Sequence, residues 1–247
     1  MLFYYSATGN SKWVVDQMQK QRRERVYSII TCCQKEEYTF PLQPNEQIGF
    51  VVPTYFYGIP ITVIEFLKKL NIENQSRNYK YLILTCGLNT AAASKVFEKE
   101  FSEKLDAIFS LKLIDTYVPL HAIPSKSKQQ EIWKKAQDTL QERIIKKIEK
   151  EARGDFNDLK GIFPTCMTRL LFPFYLKGRK TNQFYTEESC NGCGVCQKEC
   201  IHSIIKIEKG KPTWTQEQCE LCLKCLHACP KQALQYTKKT KNKGRLK

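Results

Sequence analysis

The chain has only three histidines, His121, His202 and His227, among its 247 residues, and two of them fall inside one cysteine-rich stretch. No Ser-His-Asp or Cys-His arrangement can be argued from so few, so the sequence is not read as a hydrolase. Neither the G-x-G-x-x-G dinucleotide fingerprint nor the lysine-bearing P-loop occurs. Long hydrophobic runs are missing as well: the best candidate, residues 162–178, is broken by Arg169 and two prolines, so no membrane span is expected. A basic region with a cleavage site does not precede the first apolar run, which argues against a signal peptide and for a cytoplasmic protein with reduced thiols. Acidic residues are scarce too, 25 against 40 Lys and Arg, for a net charge of +15. That surplus suits an acidic partner. Part of it sits in residues 238–247, which read as a solvated, mobile basic tail.

What is present is a globular composition, 42% hydrophobic and 26% charged, in a chain long enough for one α/β domain and a small appendage. Short β-type runs at residues 2–5, 26–31, 48–53, 79–86 and 108–117 alternate with helical patterns at 11–25, 60–70 and 90–105. A longer helix is expected at 128–152, where Ile132, Trp133, Ala136, Leu140, Ile144 and Ile148 recur at helical spacing. The strands are apolar throughout, as strands covered on both faces require. The pattern implies an α/β fold, a doubly wound five-stranded parallel sheet of order 2-1-3-4-5. Residues 1–155 form this domain. Residues 156–182 carry Phe163, Leu170, Leu171, Phe172, Phe174 and Tyr175 without a clean period and read as a packed connector. A membrane-surface segment is the rival reading, weakened because the charges are not segregated to one face.

Twelve cysteines in a reducing compartment suggest metal or redox chemistry, and eight of them lie between Cys190 and Cys229. The stretch "CNGCGVCQKEC" from Cys190 is matched by "CELCLKCLHAC" from Cys219, every cysteine recurring 29 positions on (219 − 190), with Ile205 and Leu234 also in step. Zinc knuckles usually take two cysteines per loop and do not need this spacing. Two copies of C-x2-C-x2-C-x3-C, the second followed by Pro230, resemble the bacterial two-[4Fe-4S] ferredoxins over residues 184–236. The resemblance implies a small α+β ferredoxin domain at 183–237. It also implies crossed ligation: Cys190, Cys193, Cys196 and Cys229 on one cluster, and Cys219, Cys222, Cys225 and Cys200 on the other. Gly192 and Gly194 are expected to let the chain pass close to a cluster. One departure is Ile201, where the family usually has proline.

The opening "SATGNS" places Ser6, Ala7, Thr8, Gly9, Asn10 and Ser11 directly after a strand and before a helix, where hydroxyls, backbone N–H groups and a helix N-terminus suit phosphate. A capped turn without a ligand is the plainer alternative. The loop resembles the phosphate-binding loop of flavodoxins, and "PTYFYG" (Pro53, Thr54, Tyr55, Phe56, Tyr57, Gly58) resembles their flavin-flanking loop. The three rings either stack on flavin or pack against the connector. A third loop offers Thr85, Cys86, Gly87 and Asn89 but no aromatic ring, and Cys86 is either a flavin neighbour or an inert thiol.

End to end the chain resembles the flavodoxin-ferredoxin fusion proteins found mainly in anaerobes. That resemblance implies FMN and two [4Fe-4S] clusters, and an electron-transfer flavoprotein or oxidoreductase that serves a redox protein partner of acidic surface. The alternative is a flavin-dependent reductase of a small acceptor fed by its own clusters. A nucleic-acid-binding iron-sulfur protein is a third class, and it would keep its function without flavin.

Overall fold

The computed structural model describes residues 1–75 and 77–246. The chain divides into two compact units, Met1–Ile114 with Ser127–Leu176, and Asp115–Lys126 with Lys177–Lys247. It therefore crosses between them three times.

Unit 1 is built on a parallel sheet. Its strands are β1 (Leu2–Tyr4), β2 (Val26–Ser28), β4 (Ile48–Pro53), β6 (Lys80–Cys86), β7 (Ala107–Lys112) and β8 (Gly154–Phe156), in the order β2-β1-β4-β6-β7-β8. Two short strands, β3 (Thr39–Pro41) and β5 (Asn71–Glu73), pair beside it. The apolar runs form the centre: every residue of β6 is buried, as are Ile48 to Val52 of β4. Helices α1 (Asn10–Gln19), α3 (Ile61–Lys69) and α4 (Ala93–Phe101) follow β1, β4 and β6, each shorter than the pattern predicts.

The sixth strand corrects the expected five. The expected boundary between residues 155 and 156 falls inside this strand, where Phe156 stacks on Phe109 at 5.3 Å and pairs with it in register. The second predicted strand stops at Ser28, whose hydroxyl accepts from Thr31 N and starts α2 (Ile29–Lys35). The apolar, β-branched run Ile29, Ile30, Thr31 had favoured continued strand, and the cap overrides it. The long helix appears as α5 (Lys126–Thr139), a π-helical segment Leu140–Ile145 and α6 (Lys146–Glu149). Within it Ala136, Leu140, Ile144, Ile145 and Ile148 are buried in the core with Val14, Val15 and Met18 of α1. The connector is not irregular: residues 164–178 form α7 (Pro164–Gly178), with proline at its first turn, where a missing N–H costs nothing.

Unit 2 holds the cysteine repeat. Strand β9 (Phe184–Thr186) pairs antiparallel with β12 (Leu234–Tyr236), and β10 (Ile205–Glu208) forms a hairpin with β11 (Lys211–Trp214). Short helices α8 (Val195–Lys198) and α9 (Lys224–Ala228) follow the two cysteine runs. The core gathers Phe184, Ile204, Ile205, Leu226, Leu234 and Tyr236 with Val118 from the inserted segment. Residues 115–126 thus end the fifth predicted strand early, because Tyr117 and Val118 are drawn into this second core.

The tail is also corrected. Among its described residues, Thr240 and Arg245 are buried. The Arg245 guanidinium donates to the carbonyls of Leu226, Leu234, Thr240 and Gly244 and to Gln235 Oε1, at 2.7 to 3.3 Å. Leu246 N reaches His227 Nδ1 at 3.1 Å, and Ile123 N donates to Lys243 O at 2.8 Å. Composition alone reads as solvated, but a guanidinium satisfied by five acceptors is an anchor. Lys247 lies outside the described residues. Replacing Arg245 with Gln leaves several buried carbonyls without their donor and should cost unit 2 roughly 2–4 kcal/mol. Hydrogen exchange at the β12 amides reads this directly, and unchanged protection there would count against the anchor.

Candidate functional site

Three loops follow the carboxyl ends of β1, β4 and β6, where ligands bind in open parallel sheets. The first is the loop between β1 and α1. Gly9 occupies the residue before the helix with φ 100°, a left-handed conformation suited to glycine, and no side chain caps the first turn of α1. The leading N–H groups of the helix are therefore not consumed by a cap. Asn10 Nδ2 donates to Ile114 O at 2.7 Å, and Ser11 Oγ is 3.0 Å from Thr85 Oγ1, both hydroxyls buried. Ser11 and Thr85 thus bind one another and tie the loop to β6.

Three polar atoms here lack hydrogen-bond partners among the described residues although each is buried: Ser6 Oγ, Asn10 Oδ1 and Thr54 Oγ1. Each such group costs about 1–3 kcal/mol when left dry and unpaired. Native proteins seldom leave several in one place without an occupant. They lie just beyond the paired strands β1 and β4, in the two loops singled out from sequence.

The second loop is a tight hairpin. Tyr55 and Gly58 exchange backbone hydrogen bonds at 3.0 and 2.9 Å around Phe56 and Tyr57, whose φ angles are 47° and 66°. Two bulky residues in the left-handed region carry strain of about 1–3 kcal/mol each. Helix α7 holds them there. Thr168 Oγ1 donates to Tyr57 O at 2.6 Å and accepts from Ala92 N at 3.0 Å. Tyr175 stacks on Phe56 at 5.3 Å and meets Tyr55 edge-on at 6.1 Å, while Tyr5 meets Tyr55 edge-on from the other loop. A Cβ on Gly58 would lie 2.2 Å from the Phe172 ring, so only glycine fits. Tyr55 and Phe56 thus pack on the connector through Tyr175.

The third loop is held from behind. Thr90 N donates to Leu159 O, and Asn89 Oδ1 accepts from Ala91 N, which turns the Asn89 side chain into its own loop. Cys86 is buried at the end of β6, and Gly87 is half-buried. Thr168, Phe172 and Tyr175 were not predicted as site residues. Their i, i+4, i+7 spacing is a readable stripe, obscured by the apolar residues on the opposite face of the same helix.

In unit 2 the backbone repeats with the cysteines. Left-handed φ angles occur at Gly192, Gly194 and Ser203 and again 29 residues on (221 − 192) at Leu221, Leu223 and Gln232. Since leucine holds this conformation in the second copy, φ alone does not demand glycine. Gly192 is required for clearance, because a Cβ there would lie 2.8 Å from Gly210 O in the β10–β11 turn. This clearance is a reason for glycine beside the expected one, close approach to a cluster.

The cysteines fall into two neighbourhoods. Cys190, Cys193, Cys196 and Cys229 line one cavity with Gly192, Gly194 and Pro230, about 360 Å³ of atom-free space that includes some open to solvent. Burial raises the Cys196 thiol pKa, and its neighbours Cys229 and Cys190 raise it further. Burial likewise pushes Cys219 up to about 11, with Cys200 adding to it, while Leu221 N donates to Cys219 Sγ at 3.3 Å. Cys225 is raised by burial first and then by Cys222, Cys200 and Cys219, with Cys196 a weaker influence, so the two neighbourhoods adjoin. Each contains three cysteines of one run and the last cysteine of the other. Among the described residues no three His, Cys, Asp or Glu side chains converge on a point that would hold a single metal ion. A cubane binds each thiolate at a separate iron and needs no such convergence.

The two neighbourhoods differ in access. Cys193 is exposed and Gly194 has open space beside it, whereas Cys225, Leu221 and Leu223 are buried. Leu223 is buried at the position that corresponds to Gly194 in the first copy.

Comparison with known proteins finds two likenesses. Residues 1–115 match the Flavodoxin domain family, a little under half of the chain. An uncharacterized polyferredoxin-like protein of Methanocaldococcus jannaschii is 40% identical over 48 residues, which is 19% of this chain and 20% of the relative. The chain thus spans about a fifth of that relative's length. No solved structure matches the chain significantly. An α/β unit with a six-stranded parallel sheet fits a flavodoxin-like fold, and the two matches together suggest electron transfer.

The buried hydroxyl of Thr54 gives a test whose sign depends on a ligand. Thr54→Val should leave flavin-free protein as stable as before or about 1 kcal/mol more so, because an unpaired hydroxyl is removed, and should weaken FMN binding roughly tenfold. Thermal unfolding with and without FMN, with a fluorescence titration, measures both. A stability loss with unchanged FMN affinity would assign the hydroxyl to the fold.

Proposed function

We propose that the protein is an electron-transfer flavoprotein in which two [4Fe-4S] clusters exchange electrons with a bound FMN on behalf of an acidic redox protein. The observation that carries the flavin half is the set of three unpartnered buried polar atoms in the two loops that resemble flavodoxin. Donors and acceptors of this kind, with uncapped N–H groups at a helix start and no carboxylate in either loop, fit a phosphate and an adjoining polar ring edge. The cluster half rests on two neighbourhoods of four cysteines, each completed by the other run.

When bound, the clusters supply single-electron steps and the flavin stores one or two electrons. The protein's own groups set the conditions. Ser6 to Ser11 hold the phosphate end, and Asn10, fixed by its bond to Ile114 O, presents its free oxygen in a defined direction. The strained hairpin at Phe56 and Tyr57 is kept in place by Thr168, so a ring docked there meets a preformed surface. Cys190, Cys193, Cys196 and Cys229 would hold one cluster, and Cys219, Cys222, Cys225 and Cys200 the other. Burial keeps several of these thiols protonated in metal-free protein, so cluster assembly must displace protons. Tyr175 already covers Phe56, which favours a carrier over a reductase needing an open pocket for a small acceptor.

Protein purified or reconstituted without oxygen should contain roughly eight iron and eight sulfide per chain. Cys229→Ala and Cys200→Ala should each lower this to roughly four, by removing different clusters as read by EPR. Zinc alone, or loss of the same cluster in both variants, would overturn the assignment. Rapid reduction at the clusters, followed at the flavin over a range of protein concentrations, tests transfer within one chain. First-order flavin reduction independent of concentration is expected. A rate that scales with concentration would make the two carriers independent.

A further inference from the structure

Helix α7 buries Thr168, Phe172 and Tyr175 on one side and shows a second apolar face to water on the other. Phe163 is 76% exposed, Leu170 59% and Phe174 68%, and Ile162 just before the helix is 79% exposed. Within the helix Cys166, Leu170 and Phe174 follow one another at i, i+4 spacing and form an outward stripe, and Phe163 is exposed just before its first turn. Gly161 packs against the Asn89 side chain, and the neighbouring Leu88 is 51% exposed, which extends the patch beyond the helix. Phe163, the most exposed of these rings, has φ 51°, a backbone conformation that bulky residues avoid. Scattered exposed apolar residues need no explanation, but a contiguous stripe of this kind does.

The charge carried by the helix itself has one sign. From residue 159 to 186 the sequence contains Lys160, Arg169, Lys177, Arg179 and Lys180 and no acidic residue. Lys160 is paired with Asp155, and Arg179 is engaged at Cys219 O. Arg169 and Lys177 are exposed along the helix, and Lys95 of α4 reaches Thr165 Oγ1 at 3.4 Å beside its first turn. An absence of segregated charge on the sequence had weakened a membrane-surface reading. In the folded chain the outward face is apolar with cations at its flank and end.

We propose that α7 is an interfacial helix that seats the protein on a membrane surface bearing anionic lipid. Protruding rings on a convex helix find no complementary pocket requirement in a lipid surface, which accepts them among its acyl chains. A protein partner would have to match their shape. Flanking cations with a net charge of +15 select anionic headgroups. Among the described residues no helix is long and apolar enough to cross a membrane, so the association lies on the surface and is reversible. The inference is independent of the cofactor reading, because it uses only the face of α7 turned away from the loops.

The full chain should float with vesicles of phosphatidylcholine containing phosphatidylglycerol and remain behind with phosphatidylcholine alone, and added salt should release it. A Phe163→Ser, Phe174→Ser variant should bind at least roughly tenfold more weakly with an unchanged circular dichroism spectrum. Leu170→Gln provides a second, milder change on the same stripe and should weaken binding in the same direction. Arg169→Gln with Lys177→Gln should reduce the preference for phosphatidylglycerol. Failure of the unaltered chain to float, or equal flotation of the serine variant, would overturn the proposal. So would a dimer in solution that the serine variant converts to monomer, since the face would then belong to a second copy of the chain.

Discussion

The Thr168 hydroxyl sits where the demands on unit 1 meet. By donating to Tyr57 O and accepting from Ala92 N it satisfies two backbone groups in loops far apart in sequence, and it does so from a helix that belongs to neither. Without that bridge the hairpin at Phe56 and Tyr57 would be free to relax from its left-handed geometry. The ring stack on Tyr175, the clearance of Gly58 beneath Phe172 and the outward stripe of α7 all follow from the helix being fixed at this point. A buried hydroxyl with both roles filled is worth more than its two bonds, because the loops it joins are those with unpaired atoms.

Much of this was legible from sequence where one physical rule dominates. The central strands β4 and β6 are read from unbroken apolar runs because both faces are covered, and the cysteine repeat is read from spacing because thiolate geometry allows little variation. Reading fails where two rules compete. The apolar, β-branched residues after Ser28 argue for strand, while the Ser28 cap turns them into α2. Helix α7 has no clean period because it is apolar on two sides, one for the core and one for water. Tyr117 and Val118 look like the end of a strand but enter the core of unit 2, a choice made by distant residues. Arg245 lies in a stretch whose composition says solvent, and only the cluster of carbonyls around it explains its burial.

The candidate site was partly legible. The loops at Ser6–Ser11 and Pro53–Gly58 are where the residue types suggest, but their internal wiring is not: Ser11 and Thr85 satisfy each other, and Asn89 turns inward. What sequence cannot assign is which hydroxyls remain unpaired, since that depends on the whole neighbourhood. Ser6, Asn10 and Thr54 stand out only once every other partner has been allotted.

The 29-residue repeat in unit 2 shows a backbone that has outlasted its side chains. Left-handed positions recur in both halves, yet glycine in one half is leucine in the other. Two copies of one loop have thereby become a door and a wall. The half with Cys193 and Gly194 is the more exposed, whereas Cys225, Leu221 and Leu223 of the other half are buried. On the proposed reading, a centre held in the first half would meet solvent sooner than one held in the second, so the two copies of one loop would differ in how well they shelter what they hold.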